Sequence, residues 1–167
     1  MNVLETQRLV LRQLELNDAD FILNLLNEPA FLRFIGDKGV RSQADAREYI
    51  SLGPMDSYAR CGFGMYLTSL RSGVPIGICG LIKRDSLADV DLGFALSQNY
   101  CSHGYATESA TAVLEYARRV LQLPRIVAIT APENVRSIAV LEKIGLRFEH
   151  TIELGEHGVE LKLFGTV

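Results

Sequence analysis

A surplus of basic charge is missing from this chain: 17 Lys and Arg stand against 20 Asp and Glu, a formal net charge of −3. Without a basic face or stripe, nonspecific binding to nucleic acid or to an anionic membrane has no electrostatic footing, so neither partner is expected. A disulfide framework is missing too. Cys61, Cys79 and Cys101 form an odd set with no CxxC pair, which fits a reducing compartment and gives no zinc site. Glu5, Arg8, Arg12 and Glu15 interrupt the apolar residues of the first segment. No signal-peptide core or membrane span is read there, and the expected location is the cytoplasm. His150 and His157 lie late in the chain with no third ligand nearby, so no metal is expected. Repeats and linkers are absent as well, and 167 residues suffice for one domain over 1–167 with its own core.

What is present is a change of hydrophobic period along the chain. Arg8–Leu14 reads as a strand, with Asn17 and Asp18 as helix caps after it. Phe21, Ile22, Leu25 and Leu26 repeat at helical spacing until Pro29. Ala46, Tyr49 and Ile50 mark a second helix between Ser42 and Pro54. Three extended segments follow, 62–70, 74–83 and 88–96, separated by turn residues, as in an antiparallel meander. Ala106, Ala110, Val113, Leu114, Ala117 and Leu121 make the apolar stripe of a long helix that Pro124 stops. A short strand at 125–130, a helix at 135–144 closed by Gly145, and a strand pair around 155–158 complete the chain. This order predicts a three-layer α/β (α+β) fold around one central, mostly antiparallel sheet.

Two stretches carry chemistry. Leu96 to Glu108 joins a strand end to the long helix, a place where successive backbone N–H groups and the helix dipole converge on an anion. Gly104 has no Cβ, so a pyrophosphate can approach the backbone there. Taken alone, Gly104 could equally be a glycine that merely opens a helix. Neither a G-x-x-x-x-G-K-[ST] loop nor a G-x-G-x-x-G turn occurs, which leaves nucleotide triphosphatase and dinucleotide oxidoreductase readings unsupported. The second stretch is Asn134 to Phe148, where Asn134 caps a helix and Ser137 stands three residues on, either as an idle hydroxyl or as a donor.

In this order the residues resemble the GNAT superfamily of acyl-CoA N-acyltransferases, in particular its RimJ/RimL-like branch. Leu4-Glu5-Thr6-Gln7-Arg8-Leu9-Val10-Leu11-Arg12 is similar to that branch's opening strand, and Asp91-Leu92-Gly93-Phe94-Ala95-Leu96 to its acceptor-side strand. Cys101 to Ala106 is similar to the pattern [QR]-x-x-G-x-[GA], with Gly104 and Ala106 matching and Cys101 departing from it. The resemblance implies about seven strands flanked by about four helices. It implies acetyl-CoA as co-substrate, held by Leu96, Cys101, Ser102, His103, Gly104, Tyr105, Ala106, Thr107, Asn134 and Ser137. It further implies that strand 91–96 splays from strand 125–130 to make the active-site cleft. The tyrosine that many GNAT enzymes carry seven residues after the asparagine is Leu141 here, so Ser137 is the expected acid, with Asp91 as the leading carboxylate for a base. Arg136 is a candidate for the CoA 3′-phosphate.

An α-amine with a pKa of about 7.7–8.0 is neutral in roughly one molecule in ten at pH 7, against roughly one in 2,500 for a lysine. That favours a peptide or protein N-terminus as acceptor. A polyamine, an aminoglycoside or another small amine stays open, as do a non-catalytic acyl-CoA sensor and an unrelated phosphate-ligand binder. A homodimer is compatible with the sequence.

Overall fold

A computed structural model describes residues 2–155 and 157–167. Eight strands form one sheet in the order β1-β2-β3-β4-β5-β6-β8-β7. They are β1 (Asn2–Glu5), β2 (Leu9–Gln13), β3 (Met65–Leu70), β4 (Pro75–Ile82), β5 (Val90–Leu96), β6 (Ile126–Thr130), β7 (Arg147–Leu154) and β8 (Val159–Gly165). Every neighbouring pair is antiparallel except β5 with β6, which run parallel. Helices α1 (Ala19–Leu26), α2 (Pro29–Phe34), α3 (Gln43–Ile50) and α4 (Asp56–Cys61) come before the meander. Helix α5 (Tyr105–Arg119) follows β5, and α6 (Val135–Lys143) follows β6.

The strand period of two sends alternate side chains to opposite faces, and each face has its own core. On one face, Ala110, Val113, Leu114 and Ala117 of α5 pack on Leu9, Leu11, Tyr66, Leu81 and Leu92. On the other, Ile22, Leu25 and Leu26 of α1 with Ala46 and Ile50 of α3 pack on Leu67 and Ile78. The sheet between two helical layers is the expected three-layer fold.

The opening strand departs from expectation, and Pro29 and Pro54 have roles beyond ending a helix. The first segment is a hairpin of two strands, β1 and β2, so the sheet has eight strands and the described residues form six helices. Helix α1 does end before Pro29, at Leu26, but Pro29 is more than a stop. It is the first residue of α2, where its missing N–H would have had no partner anyway. Helix α3 likewise lies between Ser42 and Pro54, ending at Ile50, but the chain winds on through a wide π turn at Ser51–Met55 and continues as α4 to Gly62. The wider turn absorbs the hydrogen bond that proline cannot donate.

Candidate active site

Strands β5 and β6 pair only at Val90 with Ile126 and at Asp91 with Val127, while β4 follows β5 as far as Leu96. Beyond Asp91 the two parallel strands part, leaving a cleft that opens toward their C-terminal ends. Both α5 and α6 start just after those ends, so two helix N-termini lie at the mouth of one cleft, the usual place for a ligand in such sheets.

The loop into α5 is shaped for an anion. Cys101 is extended, Ser102 takes a left-handed φ of 64°, and Gly104, the N-cap of α5, a φ of 83°. The N–H groups of Ser102, His103, Gly104, Tyr105, Ala106 and Thr107 have no acceptor among the described residues, and the first bond of the helix is Glu108 N–H to Gly104 O at 3.0 Å. Six consecutive free donors make the cradle. A Cβ at Gly104 would stand 3.2 Å from Arg8 Nη2, the movable end of a side chain, so it is the left-handed conformation that calls for glycine.

Side chains that the sequence reading left without a role hold this loop. Glu108, in the first turn of α5, accepts from Thr6 Oγ1, from the Arg8 N–H at 2.9 Å and from Arg8 Nε at 2.7 Å. Burial pushes its carboxyl up, yet these donors outweigh that and leave it below its ordinary value. Arg8 also donates to His103 O at 3.0 Å and lies 4.4 Å from the Tyr105 ring centroid, with His103 stacked on the same ring. His103 Nδ1 is 2.7 Å from Cys101 O and therefore carries the proton, leaving Nε2 free. Cys101 Sγ, which replaces the usual long polar side chain, points back to Ser97 O at 3.7 Å.

At the α6 end, Asn134 Oδ1 accepts from the Ser137 N–H at 3.3 Å, which is capping. The Ser137 hydroxyl is partly exposed and has no hydrogen-bond partner among the described residues. Leu141, one turn further on the same helix face, is 1 % exposed and belongs to the core. Arg136 is exposed.

Asp91 stands at the last paired rung, on the face covered by α1 and α3, and is 2 % exposed. Its Oδ2 accepts from Arg84 Nε at 2.7 Å, while Oδ1 has no hydrogen-bond partner. Burial drives the carboxyl up to about 6; Arg84 opposes the rise, and the nearby Ile129 N–H of β6 does so without reaching hydrogen-bond geometry.

Residues 8–147 match the Acetyltransferase (GNAT) domain family. The chain belongs to the GNAT acetyltransferases. It is 30% identical over 144 residues to the uncharacterized N-acetyltransferase YnaD of Bacillus subtilis (strain 168), covering 86% of this chain and 82% of that one. An acetyltransferase from Agrobacterium tumefaciens str. C58 superimposes with a TM-score of 0.83 at 25% identity, covering 98% and 93% of the two chains. RimL, a ribosomal L7/L12 alpha-N-protein acetyltransferase in complex with coenzyme A, gives 0.84 at 19% identity over 100% and 98%, a likeness of fold. This GNAT chain is thus an acetyl-CoA-dependent acetyltransferase. No helix among its described residues is long and apolar enough to cross a membrane.

Proposed function

We propose that this enzyme acetylates an α-amine, most naturally the N-terminus of a peptide or protein, by direct attack on acetyl-CoA in a ternary complex. The observation that carries the reading is the pairing of six free N–H donors at 102–107 with a cleft that begins at Asp91. The first suits a pyrophosphate and the second suits an extended pantetheine beside open strand edges. The neutral fraction of an α-amine, about one in ten at pH 7, lets attack proceed with a carboxylate of modest basicity. RimL, whose name specifies an alpha-N-protein acceptor, shares the fold and adds to the reading.

The amine nitrogen attacks the thioester carbonyl, and the C–S bond breaks as the C–N bond forms. Asp91, with one oxygen unpartnered, receives the amine proton directly or through water, and Ser137 Oγ gives a proton to the departing thiolate and regains one from solvent. Held in line, the reactants gain up to roughly 7–11 kcal/mol from proximity, so both residues contribute less than positioning does. The test is Ser137→Ala with an N-terminal peptide, followed by release of the CoA thiol. kcat falls about 10²-fold while KM for acetyl-CoA hardly moves. An unchanged kcat under chemistry-limited turnover removes Ser137 from the proton path.

A further inference from the structure

Arg84 uses only one of its donor edges. Its Nε is bonded to Asp91, but Nη1 and Nη2 donate to nothing among the described residues, and the side chain is 36% exposed. Asp91 is nearly sealed and holds the guanidinium at Nε, so the free Nη pair is a fork of the kind that takes a carboxylate in two parallel bonds. The surroundings agree in sign. Desolvation, and after it repulsion by Arg84, holds the Lys38 ammonium below the ordinary lysine value. No carboxylate among the described residues lies within ion-pair distance of it. Tyr49 of α3 feels the same guanidinium. Lys38 and Tyr49 line one surface pocket of about 420 Å³ against α3, on the side of the sheet that α1 and α3 cover; Arg84 and Asp91 are not among its lining residues. Of the acidic residues lining it, Asp45 is engaged by the Arg41 N–H, and Glu48 remains.

We propose that Arg84 anchors a carboxylate of the acceptor, so that this enzyme takes amines carrying a carboxylate a few bonds from the nitrogen: a free acidic or other α-amino acid, or a peptide beginning with Asp or Glu. The proposal rests on the acetyl-transfer reading above. It assigns the two halves of one ion pair, the buried Asp91 and the partly exposed Arg84, to the two charges of such an acceptor. Asp91 stands where the amine must lose its proton, and Arg84 stands beside it with an unused fork. A polyamine brings a second positive charge toward Arg84 and Lys38 and has nothing for the fork to hold.

The experiment compares kcat/KM, from CoA thiol release, for peptides identical except for a first residue of Asp or Asn, with free aspartate and spermidine alongside. Wild type prefers the Asp peptide over its isosteric Asn partner by tenfold or more, and spermidine is the poorest acceptor. The Asp/Asn ratio collapses toward one in Arg84→Gln and recovers in part in Arg84→Lys, whatever happens to the absolute rates. Lys38→Met, an exposed change that leaves the Arg84 and Asp91 pair alone, lowers the ratio as well. Free aspartate turned over as well as the peptide assigns the small zwitterion, and preference for the peptide assigns the N-terminus. Equal rates for Asp and Asn peptides in wild type, or a ratio that survives Arg84→Gln, overturn the anchor while leaving acetyl transfer intact. CoA release with no amine at all overturns both.

Discussion

Asp91→Asn should change how stability depends on pH, in a direction that the burial of this carboxyl fixes. Its pKa is about 6 in the folded protein, against about 3.9 for an unperturbed aspartate. A raised folded value means that the native state keeps its proton where the unfolded chain has already lost it. From about pH 4 to pH 6 stability therefore falls as pH rises, and above pH 6 the full cost is present. Two units correspond to about 3 kcal/mol at roughly 1.4 kcal/mol each. Asparagine cannot ionise and removes that cost. It also leaves Arg84 without its anion, but Arg84 is more than one-third exposed and can be solvated. Carboxyls held low by their partners, Asp37, Glu108 and Glu149, act in the opposite sense, with stability lost as pH falls through their folded values. They are common to both proteins and cancel in the difference. Urea unfolding of wild type and variant at pH 4, 5, 6 and 7 measures it. The variant gains on wild type by up to about 3 kcal/mol across that range. Parallel curves would refute the claim that Asp91 is desolvated as its burial requires.

Two further changes probe the cradle. Gly104→Ala puts a side chain on a backbone with φ of 83° and within 3.2 Å of Arg8 Nη2; it should cost about 1–2 kcal/mol, seen as a thermal midpoint lower by a few degrees, with KM for acetyl-CoA raised. An unaltered KM would mean that no phosphate passes close to this backbone. Glu108→Ala removes the acceptor for Thr6 and for two donors of Arg8. With the carboxylate 19% exposed and so partly screened, about 1–2 kcal/mol of stability should go in urea unfolding. Unchanged stability would show that the hairpin turn holds itself.

Elements with a strong period were the legible ones. The stripe of α5 and the extended segments of β3, β4 and β5, bounded by turn residues, each appear within a residue or three of where the sequence puts them. Short elements fail for physical reasons. β1 is four residues long and half exposed, so it has no alternation to read, and its existence depends on pairing with β2. Proline's usual effect is to break a helix, and α1 and α3 do end before Pro29 and Pro54; what the sequence does not show is that Pro29 opens α2 and that Pro54 sits inside a continuing turn. Whether a proline opens a helix or rides in a wide turn is decided by how the chain packs on either side. The ion pairs are the deeper gap. Arg8 and Glu108 are 100 residues apart, and nothing local in either says that they meet. Arg84 with Asp91 was closer to legible. Seven residues separate Arg84, in the connection just after β4, from Asp91 on β5, so the turn brings opposite charges together, and a lone Asp on an otherwise apolar strand is the signal that such a partner is needed.

Helix α6 shows how one face of a short helix can divide two duties. Residues 137 and 141 are four apart and therefore share a face. At 141 the face is sealed: Leu141 is 1 % exposed and packs in the core that α5 builds on the sheet. One turn nearer the N-terminus it reaches the end of the sheet where β5 and β6 part, and there the side chain is Ser137, partly exposed and with its hydroxyl uncommitted. A donor at 141 would have to leave that core to meet solvent or a sulfur. A donor at 137 needs only to rotate about χ1. The leucine thus does more than remove a tyrosine from the site. By anchoring the second turn of α6 in the core it steadies the first turn, where Ser137, the proposed donor, stands.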